Sequence, residues 1–142
     1  MSVKQLSVFV ENKPGALAKL TRFMADNEIN LRALSIADTP DFGILRIITG
    51  RPERAEGILR EAGYLTKLNN VLAVALPDKP GALADVLDVL AGAKVGVEYT
   101  YAFVSSKPGE AFMIFRVDDR EGAEKALNLA EARIVEQSEI FG

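Results

Sequence analysis

Along QLSVFVE, residues 5 to 11, Leu6, Val8 and Val10 alternate with Ser7, Phe9 and Glu11, a period of two that predicts a strand with one face in a core. After Pro14 and Gly15 the period lengthens. Leu17, Leu20, Phe23 and Met24 share one stripe of a helix that ends near Asn27. Residues 31 to 38 and 43 to 49 return to alternation, and the TPDFG between them carries the Pro, Asp and Gly of a hairpin turn. Pro52 suits the first turn of a second helix, 51 to 62, whose Ala55, Ile58, Leu59 and Ala62 form an apolar stripe stopped by Gly63. Residues 64 to 68 predict a fourth strand. The order is β-α-β-β-α-β in about seventy residues, the ferredoxin-like arrangement of an antiparallel sheet with both helices on one face.

The chain then repeats itself. Asn69-Asn70 reads as a turn, and Leu72, Val74 and Leu76 follow Leu6, Val8 and Val10 at an offset of sixty-six. Leu83, Val86, Val89 and Leu90 take the places of Leu17, Leu20, Phe23 and Met24, while Val95 and Val97 match Ile29 and Leu31. The stretch 112 to 117 aligns on 42 to 47 at an offset of seventy, so the insertion falls in the second hairpin, VSSKPGEA, where a turn tolerates it. A helix over 120 to 131 and a strand near 133 to 139 complete the second copy. Two modules are expected, 1–69 and 70–142, docked by their short connection as a pseudo-dimer.

Composition narrows the chemistry. Of 142 residues 49% are hydrophobic and 26% charged, enough for a core, and the net charge of −3 gives no general attraction for nucleic acid or anionic lipid. Cys, His and Trp are all absent, which removes disulfides, thiolate nucleophiles, imidazole bases and the commonest zinc ligands. Neither a Gly-rich dinucleotide motif nor a Walker pattern occurs, and no nucleophile has an evident base partner. No catalytic residue, metal or cofactor is expected. With no long apolar span or charged-then-apolar leader at the start, the expected location is cytoplasmic and off the membrane.

Core positions differ between the copies, yet Lys13 to Ala18 and Lys79 to Ala84 are both KPGALA. One account is geometric: Pro and Gly make a good strand-to-helix turn. The other is that glycine opens the backbone to a ligand, whose carboxylate meets the unpaired N–H groups of the helix N-terminus.

Here the chain resembles a known family. The stretches LSVFVENKPGALAKLTRFMADNEINLRALSIAD and VLAVALPDKPGALADVLDVLAGAKVGVEYTYAF are similar to ACT domains, ferredoxin-like modules that sense amino acids. The first is also similar to the opening of acetohydroxyacid synthase regulatory subunits and to the serine-sensing tail of phosphoglycerate dehydrogenase. The resemblance implies an amino acid bound between two modules, one giving the loop after its first strand and the other the start of its second strand. Carried onto this chain, one set is Asn12, Lys13, Pro14, Gly15, Ala16 and Leu17 with Val97, Glu98 and Tyr99. The other is Asp78, Lys79, Pro80, Gly81, Ala82 and Leu83 with Asn30, Leu31 and Arg32, and this second set is favoured because it combines Asp78 with Asn30. Asp78 suits an ammonium, and an Asn amide suits either end of a zwitterion. The plainer alternatives make Asn30 a left-handed helix-ending residue and Asp78 a helix-start carboxylate.

Phe9, Leu34, Ile36, Ile44 and Ile48, with Phe112 and Ile114, are expected to point away from the helices as an apolar face suited to a second copy, hence a homodimer. Tyr99, Tyr101 and Phe103 alternate on the sixth predicted strand-like stretch, and the register used here turns them toward the helices, so RNA stacking is set aside. The expected protein is an α+β pair of ACT modules, a non-catalytic sensor or regulatory subunit for an amino acid or related carboxylate. A separate metabolic enzyme is the candidate partner, and a ligand-free interaction module is the alternative.

Overall fold

The computed structural model describes residues 2–38, 40–103 and 108–141. It divides into two compact units, Lys4–Asn69 and Asn70–Gly142 with Met1–Val3.

The first unit runs β1 (Val3–Glu11), α1 (Ala16–Asp26), β2 (Ala33–Asp38), β3 (Phe42–Ile48), α2 (Pro52–Glu61) and the opening of β4 (Thr66–Pro77). β3 pairs antiparallel with β1, Val8 opposite Leu45, and with β2, Ile36 opposite Leu45, while β1 also pairs with β4. The strand order β4-β1-β3-β2 is that of the ferredoxin-like unit. Leu6, Val8, Val10, Leu45 and Ile47 meet Leu20, Met24, Ala55 and Leu59 from the two helices in one core. Leu20 and Leu59 are fully buried, each contributing about 1.5–3 kcal/mol relative to exposure.

In the second unit the rest of β4 is followed by α3 (Ala82–Gly92), β5 (Val97–Phe103), β6 (Glu110–Val117), α4 (Arg120–Leu129), β7 (Arg133–Val135) and α5 (Gln137–Phe141). β6 pairs antiparallel with β4 and β5, and β7 with β4, so the order β7-β4-β6-β5 repeats the first. Its core joins Leu72, Val74, Phe115 and Val117 to Val86, Leu90, Ala123 and Leu127.

All four long helices end in the same way. The left-handed residue one past each C-cap is Glu28, Gly63, Lys94 or Glu131, and its N–H bonds back to Ala25, Arg60, Ala91 or Asn128. The next N–H, of Ile29, Tyr64, Val95 or Ala132, reaches Met24, Leu59, Leu90 or Leu127 at 2.9–3.0 Å, which is a Schellman motif. The apolar residue after each turn is thereby pinned to the core. Because Glu28 takes the left-handed place after α1, Asn30 is not the helix-ending residue.

Several expectations are corrected. Asn69 and Asn70 make no turn; they lie inside the twelve-residue β4, because Gly63 at φ 92° already reverses the chain. The final strand is only Arg133–Val135, after which Ile140, 2% exposed, anchors a short helix. β5 carries a bulge: Val97 faces Val117, but Tyr99 faces Arg116 and Tyr101 faces Ile114. The extra residue flips the alternation, so Tyr99 and Tyr101 share a face with Ile114, which is outside the helix-facing core. Phe112, Ile114 and Ile48 are buried, and Leu34 and Ile36 stand opposite Ile47 and Leu45 on the helix side of β2, 52% and 45% exposed. The expected open apolar face is not assembled from those residues. The VSSK half of the second hairpin lies outside the described residues.

No helix among the described residues is long and apolar enough to cross a membrane.

Candidate functional site

The repeated loop folds the same way twice. In the first unit Lys13 N–H donates to Glu11 O (3.0 Å), Ala16 N–H to Lys13 O (3.2 Å) and Lys19 N–H to Gly15 O (2.9 Å). In the second, Lys79 donates to Pro77, Ala82 to Lys79 and Asp85 to Gly81 at 2.9, 3.3 and 2.9 Å. Gly15 at φ 84° and Gly81 at φ 90° are the N-caps, both left-handed, and a Cβ built on either meets nothing within 4 Å. Glycine is needed there for its dihedral angle, not for a close neighbour.

Neither α1 nor α3 has a side-chain N-cap, whereas Asp119 caps α4 by accepting from Gly122 N–H at 3.0 Å. The first-turn amides of Leu17 and Ala18, and of Leu83 and Ala84, have no carbonyl above them, the condition in which a helix start receives an anion. Asp78 therefore does not cap α3; its own N–H donates to Gly109 O at 2.9 Å. The two loops differ in charge. α1 has no acid in its first turn and carries Lys13 and Lys19 beside it, while α3 has Asp85 in its first turn and Asp78 before it.

Around the first loop the side chains form a small hollow of about 110 Å³, lined by Asn12, Lys13 and Leu17 with Ile36, Asp38 and Gly43 from β2 and β3. Lys13 Nζ lies 2.8 Å from Glu11 Oε2. That hydrogen bond and charge hold the Glu11 carboxyl below the usual carboxylate range and raise the Lys13 ammonium above its own. Asn30 is exposed ahead of β2, Leu31 is half-buried, and Arg32, whose N–H donates to Ile48 O at 2.9 Å, has a buried Nε without a hydrogen-bond partner. Sequence reading found Arg32 only through the resemblance.

The corresponding strand start in the second unit is tied up. Gly96 N–H donates to Asp118 Oδ1 at 2.9 Å and Asp118 N–H to Gly96 O at 3.0 Å, and a Cβ on Gly96 would come within 2.6 Å of Asp118 Oδ2. Glycine stands at the place of Asn30 because this latch leaves no room. Val97 is half-buried, Glu98 meets Arg116 at 3.3 Å, and the Tyr99 ring stacks on Tyr101 at 6.4 Å. Asp118 is thus half of a backbone clamp. No group of three or more acidic side chains able to hold a metal ion occurs among the described residues.

Two βαββαβ units with matched, uncapped first helices make a tandem of ferredoxin-like modules. The family described as an ACT domain pair matches residues 1–141, and the chain belongs to it. A crystallised protein from Bacteroides thetaiotaomicron is similar at 35% identity and TM-score 0.91, covering 99% of this chain and 96% of that one. Regulatory subunits of aspartate kinase share the fold. The ligand-free form from Thermus thermophilus matches at 16% identity and TM-score 0.62, and the one from Thermus flavus at 15% and 0.60, each covering 89% of this chain and 91% of that one. No curated protein matches the chain. The likeness to acetohydroxyacid synthase regulatory subunits is not among what these comparisons show.

Proposed function

We propose that this chain is a non-catalytic regulatory protein that binds a free amino acid or related α-amino carboxylate. The observation that carries the reading is the uncapped start of α1: left-handed Gly15, open amides at Leu17 and Ala18, and Lys13 and Lys19 alongside. A carboxylate there gains charge-assisted N–H hydrogen bonds and the favourable end of the helix dipole. Within each unit the charges support the 12–17 loop as the carboxylate seat over the 78–83 loop, whose two aspartates suit an ammonium instead. Asn30, Arg32 and the β5 residues Val97, Glu98 and Tyr99 stay in the proposal on the strength of the sequence resemblance.

By analogy with the aspartate kinase regulatory subunits of similar fold, the regulated target is a separate metabolic enzyme. A ligand that favours one arrangement of the protein shifts its population and so its effect on that enzyme. The second reading, an interaction module without a ligand, draws on the exposed Leu34 and Ile36. Calorimetric titration of the twenty amino acids separates them: saturable heat with one or a few, reduced by Asn30→Ala or Asp78→Ala, supports sensing. Silence with all twenty leaves the interaction module.

A further inference from the structure

A second cavity in the first unit is larger than the hollow beside Asn12. It lies on the other flank of α1, between that helix, the end of α2 and the chain leading into β4, and has a volume of about 390 Å³, within the range of small-molecule sites. Phe9, Tyr64 and Leu65 supply its apolar wall, and Glu11, Lys13 and Lys19 its charged rim. Lys13 is held by Glu11 at 2.8 Å, whereas the Lys19 ammonium makes no hydrogen bond or ion pair among the described residues and acts on Glu11 only through its charge. Leu65 is 69% exposed although its N-terminal neighbour Tyr64 is packed on the core and against Phe23. An apolar wall and an ammonium lining one cavity are complementary to a molecule with an apolar body and an anionic end.

The internal repeat provides a comparison. At the offset of sixty-six, Phe9 and Lys19 become Ala75 and Asp85. After the left-handed Gly63 and Glu131, which make the same helix-ending bonds, Tyr64 and Leu65 become Ala132 and Arg133. Arg133 is engaged, 3.0 Å from Glu110 and stacked over Phe112. The turn framework is kept in both copies, and the aromatic wall, the exposed leucine and the free lysine are confined to the first. Scaffold needs alone would act on both.

From this geometry we infer a second binding site, for an amphipathic monocarboxylate whose apolar tail lies against Phe9, Tyr64 and Leu65 and whose carboxylate meets Lys19. It goes beyond the amino-acid reading: the ligand needs no α-amino group, because the rim offers no unengaged carboxylate to receive one, Glu11 being tied to Lys13. The site shares Val10, Glu11 and Lys13 with the hollow on the opposite flank, so the two occupants act on one ion pair.

Octanoate, titrated into the full chain by calorimetry, is the probe, with octylamine as the charge control. The expected result is saturable binding of octanoate below about 10 mM, given the efficiency of ligands this small, and none of octylamine. Lys19→Asp, the residue of the second copy, should weaken binding about tenfold or more, and Leu65→Ser about fivefold. Leu65 is exposed, so its variant should fold unchanged, and its amino-acid titration should match that of the wild type. Absence of saturable octanoate heat, or affinity untouched by both variants, overturns the proposal. Either result is independent of whether an amino acid binds, so this site and the amino-acid reading can fail separately.

Discussion

Replacing Gly15 by alanine separates a backbone cost from a packing cost. Gly15 has φ 84° and ψ −13°, and an added methyl meets no atom within 4 Å, so contact with neighbours contributes nothing. What remains is the penalty for an L-residue in the left-handed region, about 1–2 kcal/mol. Against it stands the roughly 0.4–1 kcal/mol that alanine recovers by restricting the unfolded chain. The net loss is therefore about 1 kcal/mol, a fall in Tm of roughly 3 °C for a chain of this length. Gly81→Ala, at φ 90° with equally open surroundings, should cost the same. Gly57→Ala is the control. It too meets nothing within 4 Å, but it lies inside α2, where alanine is better than glycine by about 0.5–1 kcal/mol. Urea unfolding of the three variants, with thermal melts alongside, reads all the signs. A loss above about 3 kcal/mol at Gly15 would mean a close contact that the loop geometry does not contain, and no loss would mean that the turn is not held left-handed. Amino-acid titration of the same variants also decides between turn and ligand: affinity lost beyond the stability effect at Gly15 but not at Gly81 assigns the carboxylate to the first loop.

Other expectations concern the helix ends and the loop ion pair. Lys94→Gly and Glu131→Gly relieve left-handed strain at φ 60° and 58° without touching a core residue, and each should stabilise by about 0.5–1 kcal/mol in urea unfolding. Destabilisation would show that these helices do not end as described. The Glu11–Lys13 pair gives a pH signature. Glu11 has a folded value below its unfolded one, so its contribution is present above the unfolded value and fades as pH falls through the folded one. Lys13 is raised, so its contribution is full below its unfolded value and fades as pH rises through the folded one. NMR titration of the Glu11 carboxyl should show its midpoint returning to the ordinary glutamate value in Lys13→Gln; an unchanged midpoint would deny the pair.

Much of the fold was legible because the period of apolar residues is set by the face each element buries. Leu6, Val8 and Val10, then Leu20 and Met24, lie in the core where alternation and the helical stripe put them. What was not legible depends on one-residue events. The bulge between Val97 and Tyr99 leaves composition unchanged yet exchanges the faces of two tyrosines. A single glycine at 63 does the turning that the sequence assigns to the paired asparagines, and the last helix is read only once Ile140 is seen buried. At the site, the identical KPGALA loops marked a shared backbone geometry. The difference between them lies in Asp85 against Lys19, and in the Gly96–Asp118 clamp, whose partners are far apart in the chain. The cavity beside Leu65 joins two separate segments, 9–19 and 62–65, which no local pattern announces.

The central claim is that an amino-acid carboxylate is received by the open amides at the start of α1. Backbone amide shifts of the isotope-labelled chain, followed while titrating the amino acid that gives calorimetric heat, test it directly. The account predicts saturating shifts concentrated at Gly15, Leu17 and Ala18, with the matched α3 amides of Leu83 and Ala84 moving less. Shifts that leave the α1 start untouched, or no saturable shift with any of the twenty amino acids, would contradict it.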